Sequence, residues 1–111
     1  MSGKISLGLD LGTTSAKAVL VNHKGKILAG AREEYKTSHP RNGWATQDPR
    51  DWWNATKKVL SGLLEGVDSK DRLIGGSVSS QAPTCLPVDS NGNPLTEAQI
   101  WMDRRSAGEC E

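Results

Sequence analysis

The chain has 111 residues, the length of one domain, and its 14 Lys and Arg against 13 Asp and Glu leave a formal charge of +1. That balance gives no sign of a nucleic-acid footprint, which needs a clustered basic face. The short apolar runs exclude a membrane-spanning helix, and Met1-Ser2-Gly3-Lys4 lacks the apolar core of a secretory signal.

Ile5 to Asp10 alternates Ile5, Leu7 and Leu9 and reads as a strand. Ala16 to Val21 reads as a second strand. The Gly-Thr-Thr-Ser turn between them is a hairpin connection in which Gly12 supplies backbone freedom. Asn22-His23-Lys24-Gly25 is another turn, and Ile27 to Tyr35 returns as a third strand. The first 35 residues are thus expected to form an antiparallel meander. Lys36 to Gln47 reads as a polar loop. A helix follows, with Asp48 as its cap, Pro49 at the first helical position and Asp51 in the first turn. Trp52, Ala55, Val59, Leu60, Leu63, Leu64 and Val67 place one apolar face on it. Asp68-Ser69-Lys70-Asp71 closes it as a charged loop. Leu73 to Ser80 is the next strand, and Thr84 to Val88 is a candidate fifth. Asp89 to Pro94 is a dense turn signal. After the apolar piece Ile100 to Met102, Asp103 is placed to cap a helix that runs off the end, which points to a fragment of a longer protein. The order of strands and helix is that of a mixed α/β layer.

Only 35% of the residues are hydrophobic, with no Phe and four Trp. A domain this small buries about two-thirds of its unfolded surface, so a partner surface is expected. Cys85 and Cys110 have no metal-site spacing. Free thiols in a reducing cytosol, and hence a cytoplasmic protein, are the expectation.

The richest chemistry lies in Gly8-Leu9-Asp10-Leu11-Gly12-Thr13-Thr14-Ser15. Asp10, at a strand end, is placed to hold Mg²⁺ directly or through water. Backbone N–H groups near Gly12, Thr13 and Thr14 can form an anion-binding concavity. The hydroxyls of Thr13, Thr14 and Ser15 add donors, and Lys17 adds a positive charge. The plain alternative is a β-hairpin with a polar turn. The spacing is neither that of a Walker A loop nor that of the dinucleotide fingerprint.

This motif resembles the first phosphate motif of the actin-like ATPase superfamily, which includes Hsp70 chaperones, actin and many sugar kinases. The stretch Gly43-Trp44-Ala45-Thr46-Gln47-Asp48-Pro49-Arg50-Asp51-Trp52-Trp53 resembles a segment of the FGGY carbohydrate kinases, and His39-Pro40 fits their xylulokinase-like branch. From the residues alone, Trp52 reads as core, Trp53 as a cover for the sheet edge or loop, and Trp44 as loop packing or a face for a sugar. Leu73 to Gln81 is similar to the family strand whose end reaches the sugar, with Gln81 matching. Ala82 and Pro83 depart from the Met-His and Arg-Glu pairs of xylulokinase-like and glycerol-kinase-like members, which puts the substrate in doubt. Val88 to Leu95 resembles an architectural hairpin of the family. Ile100-Trp101-Met102-Asp103-Arg104-Arg105 resembles its Trp-x-Asp-x-Arg segment beside the sugar pocket.

The resemblance covers Gly8 to Cys110. It implies an actin-like, ribonuclease H-like α/β fold, a mixed sheet with packed helices, with residues 1–111 forming the N-terminal part of the first domain. It implies ATP and Mg²⁺ as cofactors and a sugar or polyol as substrate, a xylulose-like ketose being favoured. The phosphate-binding residues are then Gly12, Thr13, Thr14, Ser15 and Lys17, and the metal residue is Asp10. The substrate residues are Gln81, Trp101, Asp103 and Arg105. The catalytic base and the second domain are expected beyond residue 111, so this chain alone is expected to be inactive. No nucleic-acid or membrane partner is expected, and a homodimer is the assembly considered. Two alternatives stay open: a non-enzymatic nucleotide-binding domain of the superfamily, and a stand-alone structural module.

Overall fold

The computed structural model describes residues 3–67 and 71–110. Its strands are β1 (Gly3–Leu11), β2 (Ser15–Asn22), β3 (Ile27–Glu34), β4 (Thr46–Gln47), β5 (Asp71–Ser80) and β6 (Ala98–Gln99); helix α1 (Pro49–Leu64) precedes β5. The main sheet has the order β3-β2-β1-β5. β1 pairs antiparallel with β2, and β2 with β3, giving the expected meander. β5 returns parallel to β1 and sets Asp10 level with Ser79.

The turn between β2 and β3 explains itself chemically. The Asn22 side chain accepts from the N–H groups of Lys24 and Lys26, and Gly25 takes a φ of 82°, which glycine adopts without a Cβ clash. α1 begins as its sequence dictates, with Asp48 accepting from the Arg50 N–H and Pro49 opening the first turn. Its Ala55, Val59 and Leu63 bury against Ile5, Ala16, Ala18 and Leu20. On β1, Leu7, Leu9 and Leu11 share this covered face, so Gly8 and Asp10 open onto the opposite one.

α1 packs on β2 and β3, leaving β5 uncovered. Ile74 and Val78 are therefore exposed at 60% and 66%. The radius of gyration is 17.2 Å, against about 13 Å for a compact chain of this length.

Several expectations need correction. The loop ending at Gln47 contains β4, which pairs with β6. Thr84 to Val88 is not a strand; only isolated bridges form there, Cys85 with Gln99 and Val88 with Pro94. Asp103 caps no helix. The chain continues through a turn to a short 3-10 helix, Ala107–Cys110, because the Asp103 carboxylate is drawn to other donors. Trp52 is only half-buried and Leu64 is 41% exposed, since α1 covers only part of the sheet. The expected charged loop at Asp68-Ser69-Lys70-Asp71 lies outside the described residues save for Asp71, the first residue of β5. Among the described residues no helix is long and apolar enough to cross a membrane. Cys85 and Cys110 are both free and exposed.

Candidate functional site

Gly12, Thr13 and Thr14 join β1 to β2, and all the carbonyls of this turn are tied back to protein donors. The Tyr35 hydroxyl donates to the Gly12 carbonyl and, at 3.1 Å, to that of Ser15. The Thr13 carbonyl accepts from Gln47 Nε2 at 2.6 Å. The Thr14 carbonyl accepts from the Tyr35 N–H at 3.1 Å, and the Ser15 carbonyl also accepts from the Gly12 N–H at 3.0 Å. In a trans peptide the C=O and the following N–H point in opposite directions. Anchoring the Gly12 and Thr13 carbonyls inward thus turns the N–H groups of Thr13 and Thr14 outward. Neither has an acceptor among the described residues. The turn presents unpaired donors and hides its acceptors, which is the polarity an anion requires.

Gly12 has no positive φ, so backbone freedom is not its contribution. A Cβ there would lie 3.4 Å from the Ser15 carbonyl oxygen and 3.5 Å from Asp10 Oδ2. The missing side chain keeps the space beside the Asp10 carboxylate open. Asp10 is half-buried beside Lys17 and Ser79, in a depression of about 310 Å³ on the open sheet face. Lys17 is exposed and makes no ion pair among the described residues. Ser15 is placed differently from the expectation. It is 1% exposed, and its hydroxyl accepts from Arg32 Nε at 3.2 Å, so its side chain belongs to the framework.

Tyr35 has its phenol pushed up to about 12, first by burial and then by the nearby Asp10 carboxylate. It remains a hydrogen-bond donor throughout the physiological range. Nothing in the sequence marks it beyond its position at the end of β3.

Gln47, treated in the sequence as loop, is 1% exposed and is the hub of the site. Nε2 donates to the Thr13 carbonyl and to Thr37 Oγ1, while Oε1 accepts from Trp52 Nε1 and Gln81 Nε2, both at 2.8 Å. A carbonyl can only accept and an indole N–H can only donate, so these partners fix which way the amide faces. Gln81 is then oriented in turn. Its Oε1 is buried and has no partner among the described residues, beside a cleft of about 240 Å³ lined by Leu11, Tyr35, Trp52, Ser80, Gln81 and Thr84.

The segment around Trp101 reaches the same turn, since Trp101 Nε1 donates to Thr13 Oγ1 at 2.9 Å. Trp101 is half exposed and still offers its ring. Asp103 is committed elsewhere. Oδ2 accepts from the Ala45 N–H at 2.7 Å and from Arg105 Nη2 at 2.9 Å, and Oδ1 accepts from the Arg105 N–H and Nε. These donors fill the acceptor positions of the carboxylate, and its side chain is 4% exposed. The Arg105 guanidinium holds its acid down at about 2, against the opposing effect of burial. Arg105 also lies over the Trp44 ring, 3.5 Å from its centroid, with Arg41 at 5.0 Å. Trp44 is thus a packing platform between guanidinium groups. Trp53 is exposed at 63%, with the Lys57 ammonium over its ring.

The structure therefore joins Gly12, Thr13, Gln81 and Trp101 through one connected set of contacts. Asp10 and Lys17 sit on the adjoining sheet face, while Asp103 and Arg105 form a supporting ion pair.

The N-terminal domain of the FGGY family of carbohydrate kinases matches residues 5–111. A xylulose kinase of Staphylococcus epidermidis is 34% identical over 111 residues, covering 99% of this chain and 22% of that protein. A glycerol kinase of Oceanobacillus iheyensis is 34% identical over 113 residues, covering 100% of this chain and 23% of that protein. The crystal structure of xylulose kinase from Rhodospirillum rubrum superposes with a TM-score of 0.88 at 34% identity, covering 93% of this chain and 21% of that one. The chain thus spans about a fifth of the length of the relatives it matches. Its fold is that of the N-terminal domain of these sugar kinases, and the chain belongs to the FGGY family of carbohydrate kinases.

Proposed function

We propose that residues 1–111 are the N-terminal part of the first domain of a kinase that transfers the γ-phosphoryl of ATP to a hydroxyl of a sugar or polyol. The observation that carries this is the turn at Gly12 to Thr14: its carbonyls are anchored inward and its N–H groups left outward, beside an open carboxylate. The N–H groups of Thr13 and Thr14 would hold phosphate oxygens, with the Lys17 ammonium adding charge. Phosphoryl transfer needs mainly positioning and neutralisation of charge, which such a turn supplies.

Asp10 fits Mg²⁺. Among the described residues no three acidic, His or Cys side chains cluster as a cage, so an ion there would take one carboxylate, with water and phosphate oxygens completing its shell. When bound, Mg²⁺ would neutralise phosphate charge. On the sugar side, the unpartnered Gln81 Oε1 would accept from a substrate hydroxyl, and Trp101 would form an apolar wall. Asp103 and Arg105 would support that wall from behind through Ala45 and Trp44.

A xylulose-like ketose is the favoured substrate, on the sequence between His39 and Trp53. Ala82 and Pro83 offer no side-chain hydrogen bonds where substrate discrimination would be made, so other loops would carry that selection. The base that takes the hydroxyl proton would lie in sequence beyond residue 111. The test is a coupled ADP-release assay on the full-length protein with a panel of ketoses, aldoses and polyols. Turnover on at least one, lost in Asp10→Ala, is expected. No turnover on any, with the protein folded and nucleotide present, would overturn the reading.

A further inference from the structure

We propose that Gln47 is a positioning residue that sets the phosphate turn and the sugar-side acceptor together. This rests on the kinase reading above and deepens it.

A primary amide offers two chemically different ends, and here they serve different halves of the site. The N–H end holds the Thr13 carbonyl at 2.6 Å. Through the trans peptide, that contact fixes the Thr14 N–H in the opposite direction, away from Gln47. Released, the Thr13 carbonyl could rotate outward and set a negative partial charge where a phosphate oxygen must lie. The oxygen end accepts from Gln81 Nε2 at 2.8 Å. That contact occupies one N–H of the Gln81 amide and turns Oε1 the other way, where it is buried beside the cleft with no partner among the described residues. One side chain thus presents a donor to the nucleotide and an acceptor to the sugar.

The hub is itself held in place. Trp52 Nε1 can only donate to Oε1 and the Thr13 carbonyl can only accept from Nε2, so rotation of the amide would oppose like partners at both contacts. At 1% exposure no solvent is at hand to compensate. Gln47 is therefore built to keep one orientation, and it need touch neither ligand to act on both.

The ends can be separated by substitution in the full-length kinase. Gln47→Glu keeps the acceptor for Trp52 and Gln81 but removes the donor to Thr13. The expected result is a KM for MgATP raised roughly tenfold, the worth of one such hydrogen bond, with the KM for the sugar changed by less than about twofold. Gln47→Met removes both ends and should raise both KM values. A purely structural role would instead lower kcat through loss of folded enzyme and leave both KM values unchanged. That outcome would overturn the proposal, as would a rise in the sugar KM alone for Gln47→Glu.

If neither variant folds, wild-type protein labelled with nitrogen-15 glutamine still decides. The side-chain amide signal of Gln47 should shift on adding MgADP and again on adding the sugar found in the substrate panel. An unmoved signal on both additions would refute the coupling. Failure of the wild-type enzyme to turn over any sugar or polyol would strike the kinase reading instead, so the two failures are distinguishable.

Discussion

Tyr35 is the sole tyrosine of the chain, so phenolate absorbance in the near ultraviolet reports one group. Its hydroxyl bridges the carbonyls of Gly12 and Ser15, and burial followed by the Asp10 carboxylate raises its pKa from 10.0 to about 12. The folded value lies above the unfolded one, so the protonated form is the one stabilised by folding. Its contribution is present in full below about pH 10 and is lost as the pH rises through about 12. Two units correspond to about 2.7 kcal/mol, and solvent reaching this half-buried ring reduces that to about 1–2 kcal/mol. The assay is an alkaline titration of the folded chain and of the same chain in guanidinium, with far-ultraviolet circular dichroism on each sample. Phenolate should appear at about pH 12 in the folded state, or with loss of the fold if that comes first, and at about pH 10 in the denatured state. Asp10→Asn removes the smaller cause, so its midpoint should fall partway and stay above the denatured value. Phenolate appearing near pH 10 while the circular dichroism is intact would refute the placement of Tyr35 beneath the turn.

Other outcomes follow from the same geometry. Gly12→Ala should melt like the parent, because its Cβ meets nothing closer than 3.4 Å, yet full-length protein carrying it should bind MgADP at least roughly tenfold more weakly in calorimetric titration. Gly76→Ala would put a Cβ 3.0 Å from the Leu7 carbonyl oxygen, and the β1–β5 pairing should lose about 1–3 kcal/mol in urea denaturation. Gly75→Ala has nothing within 4 Å of its Cβ and should be close to neutral in the same measurement. Asp103 is held at about 2, below its unfolded value, so its stabilisation is present above about pH 4 and fades as the pH falls toward 2. Asp103→Asn should cost about 1–3 kcal/mol at neutral pH and show a weaker acid dependence when denaturation is repeated near pH 3.

The meander, α1 and its Asp48 cap were legible because each is written locally, as alternation, helical spacing or a turn residue beside its element. The turn from Gly12 to Thr14 was legible as a turn for the same reason. Gln47 and Tyr35 were not. Their roles come from partners 34 and 23 residues away, and neither residue type signals such a role. Ser15 and Asp103 went the other way. Both carry the right chemistry for a ligand, but Arg32 and Arg105 reach them first. Thr84 to Val88 has strand-like composition, yet its neighbour supplies only isolated bridges instead of a ladder. Sequence reveals which groups are available, while long-range contacts decide which remain free.

The sheet's topology also orders the assembly of the site in time. β1, β2 and β3 are joined by short turns and can pair quickly, whereas β5 meets β1 across about 70 residues and must await α1. The Gly12 to Thr14 turn therefore closes in the early meander, with Tyr35 close at hand at the end of β3. Gln47 and Gln81 arrive only once α1 and β5 dock. A chain paused between these stages would have its Gly12 carbonyl anchored and its Thr13 carbonyl still free, so the turn is completed only when Gln47 arrives at the head of α1.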